Sequence, residues 1–322
     1  MKVQNLSSIN IIYNIKYEFS YLLKENRNMQ NKININLGLI KRRSRAYLQI
    51  LFFPLILFTM SSCFENQGIE EKCEICISPP TYVGYNPLFI DEFNATNIDE
   101  NWSFTEGNGC PDACGWGNGE LQNYTDENIE IRNGNLVITA KKELDGQYTS
   151  GRISTYGTLS FTFGRIDVRA RLPKGQGLWA AVWLLGNNIK EFNWPTPGHI
   201  SLMELRGGEI EGRDNTIVGK IIWGLPNEIK DDSGFTSLKD EKLNDKFHVF
   251  SLIKEQGKIQ WLIDDKVYFE KTIDSSMQET FSKPFHLIVN LAVGGQFPGN
   301  PDDTTVFPQE MVIDYIRVFQ KQ

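Results

Sequence analysis

Alternation is the feature that most narrows the fold. From Gly164 to Leu172, Ile166, Val168, Ala170 and Leu172 fall on one side of an extended chain, and Arg165, Asp167, Arg169 and Arg171 fall on the other. A period of two sends successive side chains to opposite faces, so the segment predicts a strand with one face in a core. Other short runs between turn residues predict strands at Leu136–Lys141, Arg152–Thr155, Phe161–Leu172, Ala180–Leu185, Ile200–Leu205, Ile217–Trp223, Phe247–Lys254, Lys258–Ile263, His286–Ala292 and Met311–Gln320. No long helical pattern and no internal repeat interrupts them. Many short strands at close spacing predict an all-β sandwich or barrel.

The N-terminal part is different in kind. The 322-residue chain carries a formal charge of −7, which averages two unlike pieces. Residues 1–62 hold nine Lys or Arg and two acids, a net +7, so residues 63–322 carry −14. An acidic body argues against nucleic acid as a partner, because phosphate binding needs a cationic surface. With 40% hydrophobic residues, the part past the basic head can build one large core. Within the head, Lys41-Arg42-Arg43-Ser44-Arg45 precedes 14 mostly apolar residues, Tyr47 to Met60, and then Ser61-Ser62-Cys63. A basic start, a short apolar run and small residues before the cut predict a secretory signal over 1–62, with Met29 as an alternative start. The run is shorter than the roughly 20 residues that span a bilayer. Cys63 after Ser-Ser resembles a bacterial lipobox, which implies lipidation there; an ordinary signal with a free Cys63 is the alternative. The expected location is outside the cytoplasm, as an outer-membrane lipoprotein facing the periplasm or the cell surface.

Residues 63–85 are polar and acidic and close on Pro79-Pro80, which predicts a tether; the domain is expected over 86–322. Cys73, Cys76, Cys110 and Cys114 form two close pairs with no His nearby. In an oxidising compartment they predict disulfides rather than zinc ligands, with the connectivity open.

Trp179, Trp183 and Trp194 lie within sixteen residues, near Gly- and Pro-rich turns. Trp102, Trp116, Trp223 and Trp261 complete the seven. Indoles in such a cluster suit stacking on the apolar C–H faces of sugar rings, although core packing is the ordinary use of any one of them.

The segment WPTPGHISLMELRGG (194–208) resembles the active-site strand of glycoside hydrolase family 16, whose pattern is W-P-x-x-G-E-I-D-I-M-E. Further blocks follow in the family's order: LFIDEF (88–93), GWGNGELQNYT (115–125), IEIRNGNLVITAKKE (129–143), SGRIST (150–155), FGRIDVRARLPKGQGLWAAVW (163–183), NLAVGGQFPGNPDDTTVFP (290–308) and VIDYIRVFQ (312–320). The resemblance is closest to bacterial laminarinases, which cut β-1,3-glucans. It implies a β-jelly-roll sandwich of two antiparallel sheets with a glycan cleft on the concave face. The charged segment 229–242 is then expected to be a solvated loop bordering that cleft, and His248 and His286 to be core or rim residues.

The chemistry of the family needs two carboxyl groups about 5–5.5 Å apart, one as nucleophile and one as acid/base. Positions i and i+2 of a strand share a face, and one extra residue brings i+5 onto it as well. Here those positions read His199, Ser201 and Glu204, with Met203 kept as the bulge residue. The acid/base position keeps Glu204, while the nucleophile position holds His199 and the assisting Asp position holds Ser201. Ile222 stands where the family usually has His on the next strand. A protonated His199 would hold Glu204 ionised, the opposite of what a general acid needs. Classical retaining hydrolysis is therefore not expected. Neighbouring acids such as Glu191 or Glu209 are the way chemistry would be restored.

Binding positions are better kept. The resemblance assigns substrate contacts to Asn118, Glu120, Arg152, Trp179, Trp183, Trp194 and Trp223. Ala180 replaces a family Pro, and Phe297 a common Trp. A convex-face calcium site is implied at Glu92, Gly134 and Asp314, whose oxygen donors suit Ca²⁺; no cofactor is implied for the chemistry. The expected protein is a monomer that binds polysaccharide or oligosaccharide and meets a membrane only through a lipid at Cys63. The sequence keeps open an active endo-acting hydrolase or transglycosylase using Glu204, and a surface adhesin.

Overall fold

The computed structural model describes residues 80–208, 210–239 and 241–322. The expected signal segment, Cys63, Cys73 and Cys76 lie outside the described residues. In chain order the strands are β1 (Tyr85–Asp91), β2 (Ser103–Phe104), β3 (Gln122–Tyr124), β4 (Ile129–Ile131), β5 (Leu136–Lys142), β6 (Tyr148–Ser150), β7 (Arg152–Ser154), β8 (Gly164–Arg171), β9 (Leu178–Gly186), β10 (His199–Arg206), β11 (Thr216–Leu225), β12 (Glu228–Ser237), β13 (His248–Lys254), β14 (Lys258–Ile263), β15 (Lys266–Thr272), β16 (Phe285–Val293) and β17 (Gln309–Lys321). One helix, α1 (Ser275–Phe281), starts on an Asp274 cap that accepts from the Ser276 amide and buries Met277 and Phe281.

The strands form two sheets, an all-β sandwich as the alternation predicts. A ten-stranded sheet runs β15-β14-β13-β8-β17-β5-β6-β3, with β1 also on β17 and β4 on β5; a seven-stranded sheet runs β12-β11-β10-β9-β16-β7-β2. All pairings are antiparallel except β3 with β6. The core lies between the sheets. Ile166, Val168 and Ala170 of β8 meet Leu178, Ala180, Val182 and Leu184 of β9 and Leu287, Val289, Leu291 and Val293 of β16. Burying a side chain of this size contributes about 1.5–3 kcal/mol, so this layer holds the sheets together.

Three findings depart from the sequence reading. The 229–242 loop is largely strand β12, the edge of the seven-stranded sheet, where Phe235 is 72% exposed. The half-buried face of this edge strand is Asp232, Gly234 and Thr236, polar or small residues that make no apolar stripe, so its composition reads as a loop. The polar face of β8 is not solvated either: Arg165 is 7% and Asp167 1% exposed. They are covered from the segment assigned to the tether. The Tyr82 hydroxyl donates to Asp167 at 2.8 Å, and the Tyr82 ring packs edge-on against Phe319 and under the Arg165 guanidinium.

Candidate active site

The site is built on β10, and a bulge gives it its form. Against β11, Ser201 pairs with Lys220 but Glu204 with Val218; against β9, Ser201 pairs with Trp183 but Met203 with Val182. One extra residue is thus inserted after Ser201. Leu202 and Met203, neighbours in sequence, both enter the core, and His199, Ser201 and Glu204 share the open face. The bulge is held from behind. Trp261 of the opposite sheet donates its indole N–H to the Ser201 carbonyl at 2.8 Å. Gly219 makes this reach possible, since a Cβ there would lie 2.5 Å from Trp261 Cδ1.

The three side chains form one hydrogen-bonded row. The Ser201 hydroxyl donates to Glu204 Oε1 at 2.7 Å and lies 2.9 Å from His199 Nε2. The His199 ring stacks on Trp183, with centroids 4.6 Å apart and planes 17° apart. Burial, then the charges of Lys220 and Arg152, push the imidazolium down to about 3, so His199 is neutral near pH 7. Burial raises the Glu204 carboxyl, against the Ser201 bond and the charges of Lys220 and Arg206. The expected effect of His199 on Glu204 is therefore absent: a neutral ring does not hold the carboxyl ionised, and Glu204 keeps the environment of a general acid. Among the described residues no second carboxylate bonds to Glu204, Ser201 or His199. Glu191 is exposed in the loop before β10, and Glu209 lies outside the described residues.

Beside this row, β7, β9 and β16 bring polar and aromatic groups to the same face. Arg152 lies over the rings of Trp116 (4.8 Å) and Trp183 (5.3 Å). Trp183 donates to Asn290 Oδ1 at 2.8 Å, and Asn290 donates to the Tyr124 hydroxyl at 3.2 Å. With His199 and Arg152 on its ring, Trp183 is a wall that holds two side chains rather than a bare platform. Trp179 packs on Phe297 at 4.9 Å, so Phe297 fills the space of the common Trp. Glu120 accepts from Gln122 at 2.7 Å, and burial raises its carboxyl despite that bond and the Arg152 charge. Asn118 accepts from the Phe297 amide at 3.1 Å and so fixes the facing loop. The indole N–H groups of Trp116 and Trp179 and Arg152 Nε are buried without a protein partner.

Some expected residues stand elsewhere. Trp223 is corrected out of the cleft. On β11 Lys220 and Ile222 face outward with Ser201 and His199, so Trp223 turns inward, against the core, Phe281 and Lys271. Trp194 is 42% exposed in the loop entering β10. The calcium ligands do not fit: Arg317 binds both oxygens of Glu92, at 2.7 and 3.0 Å, and Arg169 binds Asp314 at 2.6 Å. Gly134 lies in a positive-φ turn between β4 and β5. Two carboxylates already neutralised by guanidinium groups do not make a cation site, and no cluster of three or more metal-binding side chains exists among the described residues. Cys110 and Cys114 are joined by a disulfide. His248 is buried against Asp264 and His286 against Asn187. Sequence reasoning does not single out Trp116, Lys220, Asn290 or Tyr124 as site residues; the signal for Trp116 is its place in the same GWGNGE block as Asn118 and Glu120.

Residues 118–317 match the profile of "Glycosyl hydrolases family 16". The chain is 33% identical over 283 residues to glucan endo-1,3-beta-glucosidase A1 of Niallia circulans, covering 79% of this chain but only 41% of that protein's length. It is 34% identical over 250 residues to the beta-glucanase of Rhodothermus marinus, covering 72% of this chain and 84% of that one. Among solved structures, the laminarinase catalytic domain from Thermotoga maritima MSB8 superposes with a TM-score of 0.67 at 39% identity, covering 74% of this chain and 99% of that domain.

Proposed function

The chain belongs to glycoside hydrolase family 16, and on that premise we propose that it is a glycan-binding protein of the laminarinase type, with impaired hydrolytic chemistry and β-1,3-glucan as its ligand. One observation carries this reading: the nucleophile position holds a neutral imidazole, stacked on Trp183 and linked through Ser201 to Glu204. Retaining hydrolysis needs a carboxylate there, about 5–5.5 Å from the acid, to form and release a glycosyl ester. Neutral His199 and Ser201 bring no negative charge to an oxocarbenium-like transition state. The binding groups nearby are intact. Arg152, Trp116 and Trp179 carry buried donors without protein partners, which supports a role in holding sugar hydroxyls, and the two indoles carry apolar faces.

A second reading, an active hydrolase with altered chemistry, draws on the raised carboxyl of Glu204, which suits proton donation to a leaving group. One set of measurements separates the two. Titration calorimetry with laminari-oligosaccharides is expected to show binding, and product analysis at high protein concentration no cleavage. The double variant His199→Glu, Ser201→Asp is expected to gain hydrolysis. Wild-type cleavage that disappears in Glu204→Gln would overturn the binding-only reading; no binding to any β-glucan would sink both. The same proposal places the protein outside the cytoplasm on a lipid at Cys63. Support comes from the basic and apolar segment ahead of Ser61-Ser62-Cys63. Unchanged fatty-acid labelling of Cys63→Ala would refute it.

A further inference from the structure

Two arginines meet at the end of the open face beyond Glu204. Arg206 follows Glu204 by two positions on β10 and shares its face; Arg213 comes from the short turn Ile210–Asn215 that leads into β11. With Thr216 and Val218 they line a cavity of about 70 Å³. Among the described residues neither guanidinium is in an ion pair, whereas Arg132, Arg165, Arg169 and Arg317 all are. Arg206 rests over the Phe297 ring at 4.8 Å. Arg213 has one long bond, to the Pro298 carbonyl at 3.4 Å, and its Nε is buried with no partner. The side chains of Glu209, Ile210 and Glu211 lie outside the described residues. Of the described carboxyls, Glu204 shares the face of Arg206 and is raised by burial, while Asp214, next to Arg213 in sequence, is engaged by the Gly175 and Gly208 amides at 3.0 and 2.8 Å. Residues 86–322 carry −11 and so have acids to spare, and a cavity whose two arginines bond no carboxylate among the described residues reflects the site, not the composition.

We propose that this cavity receives the oxyanion of a charged substituent, a sulfate ester or a uronate carboxylate, on a glycan lying in the cleft. The inference rests on the glycan-binding reading and narrows its ligand. Guanidinium forks match the spacing of oxyanion oxygens, and a charge-assisted bond in a partly buried cavity is stronger than a hydroxyl contact. The Phe297 ring fixes Arg206 and leaves its donors free, so little ordering remains to be done on binding.

The test is calorimetry at low and high salt with four probes: neutral laminari-oligosaccharides, the same oligosaccharides sulfated, uronate-containing β-glucan oligosaccharides, and inorganic sulfate alone. For wild type at low salt, at least one charged oligosaccharide is expected to bind roughly tenfold tighter than the neutral one. That advantage is expected to shrink with salt, to vanish in Arg206→Gln and in Arg213→Gln, and to persist in Arg132→Gln, which removes a cation from the other sheet. The charged arms decide between sulfate and carboxylate. If Arg213→Gln fails to fold by circular dichroism, Arg206→Gln decides alone. Equal affinity for charged and neutral glycans overturns this proposal and leaves the glycan-binding reading intact. A charged-ligand advantage that survives the arginine variants overturns it as well, and so does tight binding of inorganic sulfate with no gain for charged glycans. Absence of binding to every oligosaccharide removes the underlying reading instead.

Discussion

The two sheets carry polar outer surfaces of opposite design. On the ten-stranded sheet, Arg165, Asp167, Ser251, Tyr82 and Asp265 form a closed network: Arg165 bonds Asp167, Ser251 and Asp265, while Ser251 and Tyr82 both donate to Asp167. On the seven-stranded sheet, Arg152 is half-buried and sits between indoles, with its Nε and the N–H groups of Trp116 and Trp179 unmatched by protein. Buried polar groups in proteins are nearly always satisfied, so a concentration of orphans marks either strain or a place kept for something else. Four such atoms, on Trp116, Asn118, Arg152 and Trp179, come together at this one face and point to a ligand; the others among the described residues are scattered, His248 and Tyr268 on the ten-stranded sheet included. The paired surface serves stability; the unpaired one gives up stability for binding.

The contrast is easiest to break on the paired side. Asp167→Ala removes the anion that neutralises a 7%-exposed arginine, and stranding one member of a buried pair costs about 3–5 kcal/mol. Denaturant unfolding is expected to show that loss while glycan affinity stays the same. A smaller effect follows from pH. The folded pKa of His199, about 3, lies below its unfolded value, so the unfolded chain takes up the proton first as pH falls. The contribution of neutral His199 is complete above about pH 6.5 and is lost as pH drops toward 3. Between pH 6.5 and 5, wild type is expected to lose about 1–2 kcal/mol more than His199→Asn, read as a difference in melting temperature. Identical pH profiles would refute the neutral assignment. The smallest stability change is expected for Arg152→Met. Removing a desolvated cation that lacks a close ion pair is expected to shift stability by less than about 1 kcal/mol and to weaken glycan binding roughly tenfold. A loss as large as that of Asp167→Ala would erase the distinction between the surfaces.

Much of the molecule is legible in the sequence. The alternation of Ile166, Val168 and Ala170 gives the core face of β8, and the spacing of His199, Ser201 and Glu204 gives the bulged row, because both follow from local periodicity. What escapes reading depends on distant partners. The burial of Arg165 and Asp167 needs Tyr82, which is 85 residues from Asp167 in sequence. The inward turn of Trp223 follows from its pairing register with β10. β12 is hidden because an edge strand needs no apolar stripe. The state of Glu204 is hidden because the protonation of His199 is set by enclosure and by Lys220 and Arg152, neither of which is its neighbour in sequence.

The indole of Trp261 has a consequence for how the face can change. It grips a backbone carbonyl, and Gly219 leaves it room to do so; neither feature refers to the side chains at 199, 201 or 204. The frame that aims those three positions is thus held by the opposite sheet, as a vice holds a workpiece whatever tool is brought to it. Side chains on the row can be exchanged one at a time, in a lineage or in a laboratory, without resetting the angle at which they meet a ligand.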